Sequence, residues 1–298
     1  MEKNALGKKG TNRTETEEFQ DQGIKWFVKI LVVGEVGAGK SSFINSVNNA
    51  FQGRITSGAL VDGTGGTSFT KKYKTHYIEA EDGSHLPFVF NDIMGLESDK
   101  ESGAKAEDII KAINGSLQEG FNFKGTSPNS EMDLGYRSNP SVEDKTYCLV
   151  NIIAADKMSL LDNGVIDKMK KIRQAATHLN MPQVIIMTRA DLACPLVQQD
   201  IRKIYSSKKI KEKMEVCSNL LGIPMNYIFP VKNYHEEIQY VNYKPSAELW
   251  HMDVTLSPSW LPGREECVAS AECFYYLLMH MYIHYIAKGF GTSAFTST

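Results

Sequence analysis

The run Leu31-Val32-Val33-Gly34-Glu35-Val36-Gly37-Ala38-Gly39-Lys40-Ser41-Ser42-Phe43 restricts the fold of this chain more than any other stretch. It begins inside the apolar, β-branched segment 28–33, which is short and bounded by glycine, as a buried strand is. It ends in Ser42-Phe43-Ile44-Asn45-Ser46-Val47, which continues as a helix. Between the two stand Gly34, four further residues, Gly39, Lys40 and Ser41, the spacing of a phosphate-binding loop in its strand-to-helix setting. A loop that wraps a triphosphate turns its backbone N–H groups inward, and glycine permits that approach because it carries no Cβ. The positive end of the following helix then faces the phosphate charge. Lys40 is expected to reach the terminal phosphates, and the Ser41 hydroxyl to ligate Mg²⁺. The expected phosphate set is Gly34, Gly37, Ala38, Gly39, Lys40, Ser41 and Ser42.

Strands alternating with helices should follow. Tyr73, Thr75 and Tyr77 alternate with polar residues toward Ile78, a turn falls at Asp82-Gly83, and 86–90 is the next strand, so the two form an antiparallel hairpin. Residues 104–115 are helical in pattern, and 116–144 shifts to Gly, Ser, Pro and Asn, as a long inserted loop does. Further buried strands are expected at 147–154, 183–187 and 227–231, with a helix over 160–178 and one charged helix from about 199 to 221. This pattern predicts an α/β fold: a three-layer P-loop NTPase (Ras-like) domain with a mostly parallel six-stranded sheet.

The remaining nucleotide contacts can be sought by chemistry. Asp92, three residues before Gly95, suits a Mg²⁺ ligand at a strand end and a glycine N–H that senses the γ-phosphate. Thr67, preferred over Thr64 for its place before the second strand, would complete Mg²⁺ coordination. Guanine needs a carboxylate that accepts both N1–H and the 2-amino group, and Asp191 stands where it belongs. The aliphatic stem of Arg189 could cover the base. The usual GTPase string has Asn and Lys where Thr188 and Arg189 stand, and an Asp191 that caps the next helix is the competing reading. Backbone N–H groups around Lys232, in the corner 230–233, would meet the guanine O6. The guanine set is thus Thr188, Arg189, Asp191 and Lys232, and the metal set Ser41, Asp92 and Thr67.

From about Lys25 to Glu237 the chain resembles the interferon-induced 44 family. The resemblance is carried by Gly37-Ala38-Gly39-Lys40-Ser41-Ser42-Phe43, Phe51-Gln52-Gly53, Leu86-Pro87-Phe88 before Asp92, Gly95-Leu96, and Val231-Lys232-Asn233-Tyr234. It implies a cytoplasmic, interferon-induced, GTP-binding Ras-like domain with antiviral or antiproliferative roles. Two departures stand out. Leu96 occupies the place of the glutamine that orients water in Ras-type enzymes, and only Glu97 lies near as a substitute. Arg54 is too close to the first helix to act as an internal arginine finger, so no residue is assigned as catalytic. The tail over 239–266 also has prolines and no helical period where an amphipathic helix should close the fold.

Composition bounds the rest. At 298 residues, 42% hydrophobic and 23% charged, the chain reads as globular with a real core. A net charge of −2 gives no whole-chain signal for nucleic acid. Its five scattered cysteines suit reduced thiols of a cytosolic protein. The polar start lacks the apolar core of a signal peptide, Glu2 excludes N-myristoylation, and the sequons at Asn12 and Asn114 are chance matches. Expected domains are a disordered leader over 1–23, a GTP-binding domain over 24–238 with the insertion 116–144, and an atypical tail over 239–298, helical at 265–288. In that tail Cys267, Cys273, His280 and His284 have poor zinc spacing, and 273–287 is too short for a bilayer span of about 20 residues. The basic run around 202–213 reads as a solvated helix face. The leading function is a GTP/GDP switch with slow or partner-dependent hydrolysis, whose segments 57–70 and 92–103 meet a protein partner or a second copy. The alternatives are an interaction protein that keeps its nucleotide as structure, and an ATPase.

Overall fold

The computed structural model describes residues 27–52, 71–98, 103–124 and 134–233. The expectations for the leader, for 57–70 with Thr64 and Thr67, and for the tail with its cysteines and histidines lie outside them.

Six strands form one sheet: β1 (Val28–Gly34), β2 (Lys74–Glu79), β3 (His85–Asp92), β4 (Cys148–Ala154), β5 (Gln183–Thr188) and β6 (Ile228–Pro230). Their order is β2-β3-β1-β4-β5-β6. Only the β2–β3 hairpin is antiparallel. The helices are α1 (Lys40–Gln52), α2 (Ala106–Ile113), α3 (Asn163–His178), α4 (Ala190–Ala193), α5 (Pro195–Gln199) and α6 (Lys208–Leu221).

The sequence of β4, Cys-Leu-Val-Asn-Ile-Ile-Ala, is buried at every position because both faces of the sheet are covered. Leu149 and Ile153 join a core with α2, α3 and α6, whereas Val150 and Ile152 join a second core with Phe43, Ile44 and Val47 of α1. A fully buried side chain such as Phe90 contributes about 1.5–3 kcal/mol relative to leaving it in water. Because β1 lies between β3 and β4, successive crossovers leave it in opposite directions. That places the loop after β1 at the switch point of the sheet, where α/β folds open a crevice for ligands.

Three expectations need adjustment. The charged helix over 199–221 is broken into α5, a turn at Ile201–Lys203, and α6. Asp200 accepts from the N–H of Arg202 and Ser207 from that of Ile210, so each side chain starts a new element and interrupts the ladder. The helix over 160–178 likewise begins later, because Asp162 caps α3 through Gly164 N–H. The insertion is not merely polar: Leu117, Phe121 and Phe123 enter the core. Its backbone also grips the chain just before β2, with Tyr73 N–H donating to Phe121 O at 2.8 Å and Phe123 N–H to Lys71 O at 2.9 Å.

Candidate functional site

The helical ladder of α1 starts with Phe43 N–H donating to Gly39 O at 2.9 Å. The N–H groups of Lys40, Ser41 and Ser42 therefore precede the ladder, at the end of the helix where positive partial charge collects. No acidic residue in that first turn opposes an anion. Gly37 and Gly39 take φ of +72° and +92°, which curl the loop. Lys40 is buried and folds back along its own loop, donating to Gly34 O at 3.3 Å and Glu35 O at 3.1 Å. Burial pushes the Glu35 carboxyl above its ordinary pKa, while the charges of Lys157 and Lys40 oppose that rise.

The end of β3 meets the start of α1. Ser41 Oγ donates to Asp92 Oδ2 at 3.0 Å, and Asp92 is only 2% exposed. The chain then runs beside the loop: Leu96 N–H donates to Gly34 O at 3.0 Å and Val36 N–H to Leu96 O at 3.1 Å. Gly95 lies so close that a Cβ there would stand 2.6 Å from Val36 Cγ2 and 2.9 Å from its backbone. Leu96 itself is 0% exposed and points into the core with α2 and α3. A buried leucine, and not a side chain facing the loop, occupies the place of the water-orienting glutamine.

The end of β5 and the residue after it fold under the same loop. Thr188 is fully buried and its Oγ1 donates to Ala38 O at 2.6 Å. Arg189 takes a left-handed conformation, φ 56° and ψ 36°, which is strained for a residue with a side chain. That turn sends its guanidinium back to Gly37 O at 2.7 Å, with Asp156 Oδ2 3.6 Å from the other arm. Asn233 Nδ2 donates to Gly39 O at 3.2 Å. Three side chains thus hold three consecutive loop carbonyls. Asp191 is the second residue of the four-residue α4, partly exposed, and the cap position belongs to Arg189, with no side-chain cap. Among the described residues no hydrogen bond engages the Asp191 carboxylate. Lys232 is exposed on the corner after β6.

The structure therefore gathers Gly34, Gly37, Ala38, Gly39, Lys40, Ser41, Asp92, Gly95, Thr188 and Arg189 around one loop, while Thr67 lies outside the described residues. Thr188 sits beneath the loop and exposes no surface to a base. Asn233 was the residue that sequence reasoning missed. It stands in the corner 230–233, whose backbone N–H groups, and not its side chains, the sequence assigns to the nucleotide.

Human interferon-induced protein 44 is 33% identical over 211 residues, 70% of this chain and 47% of that protein. Over that segment the chain is a homologue of interferon-induced protein 44. The mouse protein of the same name is 29% identical over 212 residues, and human interferon-induced protein 44-like is 27% identical over 213. The chain spans about half the length of these interferon-induced 44 relatives. No protein-family profile matches it. Among solved structures, a probable GTP-binding protein, engB, is 9% identical with a TM-score of 0.34, over 69% of this chain and 88% of that one. A likeness of that degree carries no argument beside the topology itself. Among the described residues no helix is long and apolar enough to cross a membrane.

Proposed function

We propose that this chain is an interferon-induced GTP-binding protein whose nucleotide state sets the conformation of segments 57–70 and 92–103, with slow or partner-dependent hydrolysis. The observation that carries the reading is the arrangement of one loop: N–H groups that precede the helical ladder of α1, the Lys40 side chain folded along the loop, and Ser41 joined to Asp92. Phosphate recognition needs such a concave array of N–H donors next to a fixed cation.

A magnesium ion fits the donor set. A hydroxyl and a carboxylate, 3.0 Å apart at the mouth of a phosphate loop, are hard oxygen ligands of the kind Mg²⁺ takes alongside nucleotide phosphates. Ser41 and Asp92 would hold it, with Thr67 joining them, and the ion would neutralise phosphate charge. Asp191, whose carboxylate has no hydrogen-bond partner among the described residues, supports guanine as the base. Hydrolysis should be slow, because the place of the water-orienting glutamine holds a side chain sealed in the core. The relatives' names support interferon induction; a cytoplasmic location and an antiviral role extend that reading.

The deciding measurement is the nucleotide carried by the purified protein, followed by calorimetry with GTP, GDP and ATP in Mg²⁺. Guanine nucleotide in the preparation, and GTP binding at least tenfold tighter than ATP, are the expected results. Equal binding of ATP removes the guanine pocket, and no binding of either removes the loop as a nucleotide site. A second reading, an interaction protein that keeps nucleotide as structure, is favoured by the burial of Leu96. It predicts bound GTP that survives single-turnover conditions even with a partner present.

A further inference from the structure

The ties beneath the loop come from two different places. Thr188 ends β5 and Arg189 follows it, but Asn233 follows β6 and lies 194 residues from the carbonyl it holds. Its amide is not a casual contact. Gly39 has φ +92°, and a Cβ on it would come 3.1 Å from Asn233 Nδ2 and 3.6 Å from Thr188 Oγ1. The Asn233 side chain therefore fills the space that any larger residue at 39 would need. The corner that carries it is anchored as well. Val231 N–H donates to Met187 O at 2.8 Å, and Ala190 N–H donates to Val231 O at 3.2 Å. Asn233 is thus presented to the loop from a backbone that has little freedom to move.

The consequence follows from peptide geometry. In a trans peptide the C=O of one residue and the N–H of the next point in opposite directions within one plane. Whatever fixes the Gly39 carbonyl also aims the N–H of Lys40. That carbonyl accepts twice, from Phe43 N–H at 2.9 Å and from Asn233 Nδ2 at 3.2 Å, and so uses both lone pairs. Thr188, holding Ala38 O, aims the N–H of Gly39 in the same way. Donors held in place before the ligand arrives need no reorganisation when it binds.

We propose that Asn233 is a positioning residue of the phosphate site: although it sits in the corner expected to read guanine, it sets affinity for the phosphates and leaves base choice untouched. This inference rests on the reading of the loop as a nucleoside triphosphate site. Asn233 acts through the Gly39–Lys40 peptide and contacts no part of the nucleotide. It also makes the third tie in a chain that has Thr188 where an asparagine is usual. The shorter hydroxyl reaches one carbonyl, and the amide from the next corner takes the neighbouring one.

The test uses the full chain, two variants and three nucleotides. Asn233→Ala removes the donor, and Asn233→Asp keeps the volume but turns an acceptor toward the Gly39 carbonyl. Each is titrated with GTP, ITP and 6-thio-GTP, which differ only at the 2-amino and 6-oxo positions of the base. The expected result is a loss of about five- to tenfold for Asn233→Ala, and a larger one for Asn233→Asp, by the same factor for all three nucleotides. Thermal unfolding of each unliganded variant, compared with wild type, separates lost positioning from lost folding. Should Asn233→Ala not fold, the isosteric Asn233→Asp makes the same comparison. Unchanged affinity in a folded variant overturns the proposal, and so does a loss that differs between the base analogues. If the wild-type chain binds none of the three, the nucleotide reading itself fails, and that result is visible before any variant is made.

Discussion

Ser41 Oγ lies 3.0 Å from Asp92 Oδ2, so a hydroxyl on the first turn of α1 and a carboxylate at the end of β3 share one hydrogen bond across 51 residues of sequence. In the proposed reading this pair holds the divalent ion. Ser41→Ala should spare most of the affinity for GDP without Mg²⁺ and remove most of the gain that Mg²⁺ gives to GTP. Calorimetry with and without a chelator measures both. Equal Mg²⁺ sensitivity in mutant and wild type would take Ser41 out of the coordination shell.

The burial of Leu96 changes what a substitution there can do. Leu96→Gln would put a water-orienting amide at the position a Ras-type enzyme uses. In the fold the side chain lies in the core between the sheet and its helices, so a glutamine would bury an amide without a partner. Destabilisation of about 2–4 kcal/mol and no gain in GTP hydrolysis are expected. Urea unfolding and single-turnover kinetics read the two effects separately. A faster reaction at unchanged stability would mean that the side chain leaves the core when nucleotide binds.

Base choice turns on Asp191. If its carboxylate accepts the N1 and 2-amino protons of guanine, Asp191→Asn should move preference from GTP toward XTP, with GTP affinity falling at least about tenfold. The competing helix-cap role has lost support, because Asp191 lies inside α4, whose cap position is Arg189 and has no side-chain cap. Competition binding of GTP, XTP and ATP to both proteins decides the matter. Unmoved affinities would leave Asp191 with no part in recognition.

His76 gives a pH signature that is independent of nucleotide. Its imidazole is held down to about 4 from an ordinary 6.5, chiefly by burial, with the charge of Lys74 adding and that of Glu119 opposing. The unfolded chain therefore binds a proton between about pH 6.5 and 4 that the folded chain refuses. Stability rises with pH through that window and is lost as pH falls through it. His76→Gln should flatten the dependence of the urea midpoint between pH 4 and 6.5. An unchanged slope would assign the acid sensitivity to other groups.

Much of this was legible in the residues themselves. The loop from Gly34 to Ser41, the strand before it and the helix after it are local, because spacing and the absence of Cβ atoms suffice to define them. Five of the six strands could be read as short apolar runs and β2 from its alternation with polar residues, and Asp92 could be placed because it ends one of the runs. Helix breaks at Asp200 and Ser207 were harder to see. A polar side chain becomes a cap only when its backbone leaves the helical region, and charge patterning does not show that. The insertion misled by its composition, since three anchors, Leu117, Phe121 and Phe123, are few among glycine, serine and proline but decide where it packs.

What only the tertiary structure decided is who holds the loop. Thr188, Arg189 and Asn233 lie 150, 152 and 194 residues from the carbonyls they engage, and nothing in their own neighbourhoods specifies those partners. The same holds for Leu96, which local sequence places beside the phosphates and the packed fold turns inward. Sequence determined that a glycine-curled loop would lead from β1 into α1, because its curvature and the N–H groups that precede the helical ladder are properties of a few consecutive peptides. Which way those peptides face depends on hydrogen bonds that exist only after β1, β5 and β6 lie parallel in one sheet and bring their carboxyl ends together.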